Sequence, residues 1–406
     1  MHNSHVFVIS SKDALYELVS SKRFMLYGAG KVARELLKML PANGHYVIER
    51  IIVSQLENDE RYLGGIEISE LDKSEIDNRL LTIIAVGQAY RDEILENLKN
   101  HKFKEIAIIT ENFENYLLSQ NKGGIYSLIA QKDNEFNVLI SKIVPRTKIK
   151  TLVVNICDHC NLNCQNCDHF SPIAEKRFIS KEIVLNDLYR INQLVGERID
   201  QIAIMGGEPL LHDDIEDIAV GARKIFPSVP IWISTNGILL DKREESFWIT
   251  CQKNNITIVI TRYPISFDYK RVEHIAEKHR VSLSFANGEV TEKTSYHIPL
   301  DLSGTQDTTS NFIHCFHSND KCNMLSEGKL WTCTVAPNMW IFAKHFKIDL
   351  PMTEDDGIDI YSIETGRELF ERLARPMPAC RYCNVSMRTF GHPWKVSERR
   401  IEEWTI

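Results

Sequence analysis

Four cysteines occupy one short stretch of the chain, and their spacing is the first feature that points to chemistry. They are Cys157, Cys160, Cys164 and Cys167. Two CxxC pairs would suit a zinc site, but zinc modules normally place a dozen or more residues between the pairs. Here only three residues separate Cys160 from Cys164. The other interpretation is a set of three thiolate ligands, Cys160-x3-Cys164-x2-Cys167, with Cys157 left outside it.

Glycine and polar residues follow the next predicted strands of the same region. Gly206-Gly207-Glu208-Pro209 comes directly after an apolar strand predicted over 201–205. The paired glycines would let backbone groups approach a ligand closely. Ser234-Thr235-Asn236-Gly237 ends the following strand, and Arg262 ends the one after it. A guanidinium pairs well with a carboxylate, although Arg262 could equally be a surface charge.

The cysteine loop and the strand ends together resemble the signature of the radical S-adenosylmethionine (SAM) superfamily. The resemblance covers roughly residues 152–286. It implies that Cys160, Cys164 and Cys167 are the catalytic residues, which hold a 4Fe–4S cluster whose open iron binds SAM. Reductive cleavage of SAM would then give a 5′-deoxyadenosyl radical. Cys157 stays outside this set and is interpreted as a small residue at a strand end.

The same resemblance implies which residues contact SAM. Asn166 stands where members of the superfamily commonly have an aromatic residue beside the adenine. The adenine contacts are therefore expected from backbone groups or from Phe170. The residues expected to bind the cofactor are Asn166, Gly206, Gly207, Glu208, Pro209, Ser234, Asn236 and Arg262.

A second group of cysteines lies where the strand and helix pattern becomes irregular. Within it, Glu327-Gly328 predicts a turn between two short strands. The order of cysteines around this turn, followed by a CxxC pair, resembles the twitch domain, the shortened relative of the SPASM domain. That resemblance implies a second, auxiliary 4Fe–4S cluster on four thiolates: Cys315, Cys333, Cys380 and Cys383. A structural zinc site on the same thiolates is the competing interpretation, and Cys322 is expected to be unliganded.

A glycine loop near residue 30 has the pattern of a phosphate site. Gly28-x-Gly30-x-x-Ala33 follows a predicted strand over 23–27 and opens a helix, as in the dinucleotide fingerprint. Amides at a helix N-terminus suit a phosphate, so Gly28 and Gly30 are candidate phosphate-binding residues. The next strand, 47–53, ends without the carboxylate that NAD binding asks for. The stretch resembles Rossmann-like domains of bacterial surface-polysaccharide enzymes, which implies a nucleotide-sugar handle or a scaffold without a ligand.

Strands and helices alternate along most of the chain, which predicts an α/β fold. Residues 1–120 are expected to form the Rossmann-like parallel sheet, and residues 121–148 a connector. Residues 149–295 are expected to form a partial (β/α)6 barrel of the TIM type. Residues 296–406 are expected to form the small, irregular, cysteine-rich domain of the twitch/SPASM type.

Composition excludes several classes of protein. The 406 residues carry a formal net charge of −7 and 43% hydrophobic residues, which is typical of a globular protein. A mildly acidic chain is a poor candidate for binding nucleic acid, and no apolar run is long enough for a membrane helix. The first residues lack the features of a signal peptide, so the cytoplasm is the expected location.

These observations predict a radical SAM enzyme similar to those acting on sugars and cyclitols. The substrate would be a sugar or a nucleotide-sugar, and the electron donor a protein of flavodoxin or ferredoxin type. The substrate radical could be oxidised, could lose water or ammonia, or could be inverted by hydrogen from a thiol such as Cys251 or Cys322. Two alternatives remain open. One is a radical SAM enzyme that modifies a peptide, and the other is a metal-stabilised scaffold or a nicotinamide dehydrogenase with a zinc module.

Overall fold

The computed structural model describes residues 4–40, 44–56, 61–119, 145–286, 294–318 and 322–406. The chain divides into two compact units, Met1–Thr147 and Lys148–Ile406. Most of the connector expected at 121–148 lies outside the described residues. No helix within the described ranges is long and apolar enough to cross a membrane.

A seven-stranded sheet forms the centre of the first unit, with the strand order β1-β7-β6-β2-β3-β5-β4. The only antiparallel neighbours among these seven described strands are β4 and β5. The strands are β1 (His5–Ile9), β2 (Arg23–Tyr27), β3 (Val47–Val53), β4 (Tyr62–Leu63), β5 (Ile66–Glu70), β6 (Leu81–Ile84) and β7 (Glu105–Ile109). The helices are α1 (Lys12–Val19), α2 (Lys31–Met39), α3 (Gln88–Asn100) and α4 (Glu111–Ser119). The predicted Rossmann-like parallel sheet is confirmed.

The strand order of this sheet reverses between β2 and β6. In open α/β sheets, ligands bind beyond the carboxyl ends of the two strands at which the order reverses. Gly28 follows β2 with a φ of +110°, and a Cβ there would lie 2.6 Å from Cγ1 of Val86. The packing of the sheet therefore requires glycine at position 28. Gly30 comes just before α2, and a Cβ there would meet nothing within 4 Å. Position 30 is thus open at this end of the sheet.

An eight-stranded sheet forms the centre of the second unit, with the order β12-β11-β10-β9-β8-β14-β15-β16. Its strands are β8 (Leu152–Asn155), β9 (Ile202–Met205), β10 (Ile231–Thr235), β11 (Ile256–Ile260), β12 (Leu283–Phe285), β14 (Asn323–Ser326), β15 (Lys329–Trp331) and β16 (Ile358–Asp359). The helices of this unit are α5 (Lys181–Val195), α6 (Ile215–Ile225), α7 (Glu245–Lys253), α8 (Tyr269–His279), α9 (Thr308–His314), α10 (Met339–Phe346) and α11 (Gly366–Leu373). A separate antiparallel pair consists of β13 (Thr294–His297) and β17 (Thr389–Pro393).

Six strands of the larger sheet are parallel, which agrees with the predicted partial barrel. The sixth parallel strand, β14, does not follow β12 in the sheet but pairs with β8 at the other side. The sheet is therefore open, with β12 and β16 at its edges. The turn predicted at Glu327-Gly328 joins β14 to antiparallel β15, and both residues have positive φ values, 49° and 77°.

Helix α5 illustrates how the sequence builds this layer. The hydroxyl of Ser180 accepts a hydrogen bond from the backbone N–H of Ile183 at 3.4 Å and caps the helix. Val184, Leu188 and Ile191 are buried and recur at helical spacing, so one face packs on the sheet. This helix separates the cysteine loop from β9 in sequence, and its apolar face fixes both to the same core.

A second apolar core supports the cysteine-rich region. It includes Phe170, which follows the cysteine loop, together with Phe342 and Trp404. The ring centroids of Phe170 and Phe342 are 5.6 Å apart, and those of Phe170 and Trp404 are 6.0 Å apart. Residues separated by more than 230 positions in sequence thus form one core, which short-range patterns do not predict.

Candidate cofactor site

The cysteine loop begins at the carboxyl end of β8 and rests on the end of β9. The backbone N–H of Gly207 donates to the carbonyl of Cys157 at 2.8 Å, and that of Glu208 donates to the carbonyl of His159 at 3.1 Å. A Cβ on Gly206 would lie 2.8 Å from Oδ1 of Asn155 and closer still to the carbonyl oxygen of Cys157. The two glycines therefore let β9 approach the backbone of the cysteine loop. The sequence interpretation gave them a different task, the close approach of a ligand.

Glu208 connects the ends of two strands through its carboxylate. Its side chain is 1% exposed and accepts hydrogen bonds from the hydroxyl of Thr235 at 2.7 Å and from the backbone N–H groups of Leu210 and Asn236, each at 3.0 Å. Burial raises the pKa of Glu208, while these donors lower it. Pro209 opens the short 3-10 turn that follows. The carboxylate thus fixes the loop after β10 relative to β9.

Asn236 connects the loop after β10 to the cysteine loop. Its amide nitrogen donates to Oδ1 of Asn161 at 2.7 Å and lies 3.8 Å from the sulfur of Cys160. The backbone N–H of Leu162 donates to the same sulfur at 3.3 Å. Donors around a cysteine sulfur stabilise its thiolate form, so this position suits a metal ligand.

Ser234 and Arg262 occupy neighbouring strand ends, as the sequence predicts. Ser234 is half-buried on β10, with its side chain on the face opposite Ile233 and Thr235. Arg262 follows β11, and its guanidinium lies 4.1 Å from the centroid of the Phe285 ring. This cation–π contact orients the guanidinium at the same edge of the sheet as the cysteine loop.

The three cysteines of the predicted set influence one another. Burial, together with the neighbouring charges of Asp168 and Cys164, raises the pKa of the Cys167 thiol to about 12. Burial likewise raises the pKa of Cys160, with contributions from Glu208, Cys167 and Cys164. Thiols in this setting ionise only when a positive centre compensates, which is what a metal cluster provides. The donor set therefore fits an iron–sulfur cluster.

Tyr263 is a residue that the sequence analysis missed. Burial raises the pKa of its hydroxyl well above the ordinary value, and the charges of all three loop cysteines add to this. Its ring packs edge-on against Trp394 with centroids 5.9 Å apart. The position directly after Arg262 at a strand end was the available signal in the sequence.

A distant segment of the chain pairs with the cysteine loop. The backbone N–H of Ser397 donates to the carbonyl of Asn163 at 2.8 Å, and that of Gln165 donates to the carbonyl of Lys395 at 2.9 Å. The indole N–H of Trp404 donates to the carbonyl of Cys167 at 3.0 Å. The cysteine loop is therefore also held by residues 395–404, and no sequence motif predicts this contact.

Phe170 does not have the exposed ring that an adenine contact would need. It is 1% exposed, adopts a φ of 55°, and its ring is enclosed by the second core. The suggestion that Phe170 replaces the missing aromatic residue at position 166 is therefore wrong. Asn166 itself adopts a φ of 57°, a left-handed conformation that asparagine tolerates well.

The second cysteine set is also brought together. Burial raises the pKa of Cys383, and the charges of Cys315, Cys380 and Cys333 raise it further. The backbone N–H of His317 donates to the sulfur of Cys315 at 3.4 Å, and that of Ala336 donates to the sulfur of Cys333 at 3.5 Å. The four predicted ligands thus lie close enough to influence one another's ionisation, and two of them have the same kind of N–H donor as Cys160.

Two side chains, Asn311 and Asp356, form hydrogen bonds with the backbone at and next to the CxxC turn of Cys380 and Cys383. The amide of Asn311 on α9 donates to the carbonyls of Cys380 and Cys383 at 2.8 and 2.5 Å. Asp356, which is completely buried, accepts hydrogen bonds from Thr353 and from the backbone N–H of Ala379. The CxxC turn is therefore fixed from both sides.

Asp168 joins the two cysteine sets. This residue follows Cys167, and its carboxylate accepts hydrogen bonds from the hydroxyls of Tyr296 at 2.7 Å and Thr334 at 3.2 Å. Thr334 directly follows Cys333, and Nε2 of His317 lies 3.9 Å from the same carboxylate. Polar contacts of Asp168 therefore link the cysteine loop to the segments that carry Cys315 and Cys333.

The remaining cysteines have structural surroundings. All ten cysteines lie in the described part of the chain, and none forms a disulfide. Cys157 is buried and its thiol donates to the carbonyl of Glu208 at 3.2 Å, as expected for a residue at a strand end. Cys251 is 1% exposed in the main core, and Cys322 packs against Val153 and Met324. Among the described residues, no three His, Cys, Asp or Glu side chains converge as ligands of a single metal ion.

The parallel sheet and the cysteine loop at its carboxyl edge define an α/β domain with a thiolate-lined cofactor site. Residues 154–285 match the family model of the radical SAM superfamily. The second unit therefore contains a radical SAM domain, and this sequence prediction is confirmed. SAM and a 4Fe–4S cluster are the cofactors that this domain implies.

Curated relatives match this same region. GTP 3′,8-cyclase from Aquifex aeolicus is 31% identical over 100 residues, which cover 23% of this chain and 30% of that protein. GTP 3′,8-cyclase from Corynebacterium glutamicum is 38% identical over 103 residues, 23% of this chain and 26% of that protein. The chain thus spans about a third or less of the length of these two relatives.

Solved structures show a limited resemblance. BtrN in complex with AdoMet and 2-DOIA is 16% identical with a TM-score of 0.36, covering 58% of this chain and 93% of that one. The anSMEcpe structure with bound AdoMet and the Cp18Cys peptide is 19% identical with a TM-score of 0.27, covering 34% and 42%.

Proposed function

We propose that the chain is a radical SAM enzyme that removes a hydrogen atom from a carbon of its substrate. The observation that carries the proposal is the loop of Cys160, Cys164 and Cys167, seated on the ends of β9 and β10 inside the matched domain. When bound, SAM and the reduced 4Fe–4S cluster supply a 5′-deoxyadenosyl radical. In this proposal the enzyme is cytoplasmic and receives its electron from a protein of flavodoxin or ferredoxin type.

The chain's own residues position these groups. Cys160, Cys164 and Cys167 would hold the cluster, and Gly206 and Gly207 keep their loop in register with β9 by close backbone contact. Glu208 orients Asn236, which in turn holds Asn161 beside the first cysteine. We assign SAM contacts to the polar edge formed by these residues: Asn166, Gly206, Gly207, Glu208, Pro209, Ser234, Asn236 and Arg262.

Aromatic residues packed beside the loop would help to keep water away from a radical. Tyr263 and Trp394 pack together on one side, and the second core containing Phe170 closes another. Exclusion of water from such a site prevents side reactions of a reactive intermediate. The residues therefore contribute orientation and shielding, while the cofactors supply the chemistry.

The proposed substrate is a sugar or a nucleotide-linked sugar. The first unit supports this because its glycine loop lies at the switch point of a doubly wound sheet, with open space at Gly30. The curated relatives named above act on GTP, itself a nucleotide with a sugar, which also favours this class. Dehydrogenation, dehydration and epimerisation are the reactions considered.

The second cysteine set is proposed to hold an auxiliary 4Fe–4S cluster. Support comes from the four mutually interacting thiols of Cys315, Cys333, Cys380 and Cys383, and from the N–H donors to two of their sulfurs. Such a cluster would supply an electron acceptor for a dehydrogenation.

The test is anaerobic reconstitution followed by metal analysis and a SAM cleavage assay. About eight iron and eight sulfide per chain are expected if both clusters form. Dithionite-reduced protein should release 5′-deoxyadenosine from SAM, and incubation with candidate nucleotide sugars should give a product of altered mass. Zinc without iron, or iron without SAM cleavage, would overturn the proposed function.

A further inference from the structure

The segment 395–404 lies against the cysteine loop although it is far away in sequence and outside the matched domain. Its backbone extends the loop at Lys395 and Ser397 through hydrogen bonds of 2.9 and 2.8 Å, and Val396 forms an antiparallel bridge with Cys164. The guanidinium of Arg399 donates to the side-chain carbonyl of Asn163 at 3.2 Å. The loop is thus paired along the stretch between its first and third cysteines.

Trp404 makes the contact closest to a proposed cluster ligand. Its indole N–H donates to the carbonyl oxygen of Cys167 at 3.0 Å, and the residue is 4% exposed. Three aromatic rings surround the indole: Phe170, Phe342 and Phe346, with centroid distances of 6.0, 6.4 and 6.1 Å. A buried donor held in this way has one orientation, so it fixes the carbonyl that it meets.

The backbone of Trp404 reaches the other cysteine set. Its carbonyl accepts a hydrogen bond from the backbone N–H of Leu300 at 2.6 Å, and Leu300 forms a bridge with Cys383. One residue therefore contacts the peptide of Cys167 with its side chain and, through Leu300, the peptide of Cys383 with its backbone.

We propose that Trp404 is a positioning residue for the proposed radical SAM reaction, which holds Cys167 at the geometry that the cluster and SAM require. The role in the reaction rests on the proposed function. The contact by which Trp404 fixes the carbonyl of Cys167 does not. Without the indole N–H, the donors to the carbonyl of Cys167 within the described ranges reduce to the backbone N–H of Phe170, at 3.0 Å. The third cysteine would then be free to turn away from the other two.

The first test replaces Trp404 in the full-length chain. Trp404→Phe keeps an aromatic ring in the core and removes the donor. We expect the dissociation constant for SAM to rise about three- to tenfold, the range that one hydrogen bond covers. We also expect a smaller SAM-induced change in the electron paramagnetic resonance spectrum of the reduced protein, with iron at the second cysteine set unchanged.

The matched control is Trp248→Phe, at another buried tryptophan in the main core on α7. It should lower the thermal midpoint about as much as Trp404→Phe, because both lose similar packing, yet leave SAM binding at the wild-type level. If Trp404→Phe fails to fold, 3-benzothienylalanine at position 404 keeps the shape of the indole and lacks only its N–H.

Hydrogen exchange separates this inference from the proposed function. Loss of the indole donor should speed exchange of backbone amides in the peptide covering 160–170, with no change in peptides covering β9. Equal exchange rates in the loop, or wild-type SAM affinity in Trp404→Phe, would overturn the inference. A wild-type protein that holds no iron would instead overturn the proposed function, while the exchange measurement would still decide whether Trp404 positions the loop.

Discussion

At the scale of single residues, two buried polar side chains, Glu208 and Asn236, connect the strand ends to the cysteine loop through hydrogen bonds. Glu208 directs both carboxylate oxygens to donors on the neighbouring strand ends. Asn236 uses its amide nitrogen on Asn161 and its amide oxygen on the backbone N–H of Ile238. Because Glu208 and Asn236 are both buried, removing one of their hydrogen-bonding atoms would leave an unsatisfied group and move the loop.

The loop cysteines should be separable from the second set by mutation. Replacing Cys160, Cys164 and Cys167 together by alanine removes all three proposed ligands of one cluster. We expect SAM cleavage to fall to background and the iron content to fall by about four atoms per chain, while the other cluster stays. The measurements are iron analysis and release of 5′-deoxyadenosine. Full reductive cleavage in the triple variant would contradict the assignment.

A buried carboxyl in the first unit should make stability depend on pH. Glu114 is completely buried beside Arg91, with the two charged groups 2.5 Å apart. Burial raises its pKa from 4.5 to about 7, although Arg91 opposes the shift. The folded state thus holds the proton more tightly than the unfolded state. Its contribution to stability is therefore full below pH 4.5 and is lost as the pH rises through about 7.

Thermal unfolding followed by circular dichroism between about pH 4.5 and 7 tests this expectation. The wild-type midpoint should fall with rising pH relative to that of Glu114→Gln, by a few degrees at most. Glu17→Gln, at an exposed position on α1, is the control and should follow the wild-type profile. Parallel profiles for the wild type and Glu114→Gln would show that this carboxyl does not titrate as described.

At the scale of elements, the strands and helices that position the site could be read from sequence. Apolar runs predicted β2 and β3 with their observed bounds, and the run over 201–205 predicted β9 to within one residue. The turn at Glu327-Gly328 could also be predicted, since it depends on residues that are neighbours in sequence. The assignment of the three loop cysteines as cluster ligands stays a prediction.

What the sequence did not predict depends on contacts between distant residues. The pairing of β14 with β8 and of the segment 395–397 with the cysteine loop is a choice of partner, which no local pattern encodes. The short strands β13 and β17 carry weak patterns because most of their residues are polar or exposed. The surroundings of Phe170 follow from the same long-range packing.

The contact between β9 and the cysteine loop should not tolerate a side chain at position 207. A Cβ on Gly207 would overlap the carbonyl oxygen of His159 and lie 2.9 Å from that of Asp158. Because both atoms belong to backbone, relief requires movement of the loop. We expect Gly207→Ala to lose the SAM-responsive cluster, measured as iron content and as the visible spectrum. Gly391→Ala, at a glycine where a Cβ would meet nothing within 4 Å, is the control and should keep it.

At the scale of the whole molecule, the two cysteine sets have different neighbours. Mutations should therefore remove one proposed cluster without removing the other. Cys380→Ala removes one of the four proposed ligands of the auxiliary cluster, so we expect that cluster's signal to disappear while the SAM-responsive signal stays. Cys322→Ala should change neither, because Cys322 packs among apolar residues of the sheet. Spectra of the reduced protein with and without SAM measure both signals. Loss of the auxiliary signal in Cys322→Ala but not in Cys333→Ala would show that the ligand set is wrong.

Substitution of Gly30 tests whether the first unit binds the substrate. A side chain at this position should not disturb the fold. Gly28 could not serve, because its φ of +110° and its contact with Val86 demand glycine. At Gly30 the φ is −80° and a Cβ meets nothing, so valine fits the backbone and enters only the space where a phosphate would lie. We expect Gly30→Val to raise KM for a nucleotide-sugar substrate about tenfold or more, since the anion would lose its approach to the amides of α2.

Two further measurements decide what that result means. SAM cleavage without substrate should stay at the wild-type rate in Gly30→Val, because the cysteine loop belongs to the other unit. The thermal midpoint should also stay within a few degrees of wild type, which excludes unfolding as the cause. Unchanged KM on the true substrate would instead mean that the open position at Gly30 serves no ligand. The first unit would then act as a scaffold, and the argument for a nucleotide-linked substrate would rest on the relatives of the second unit alone.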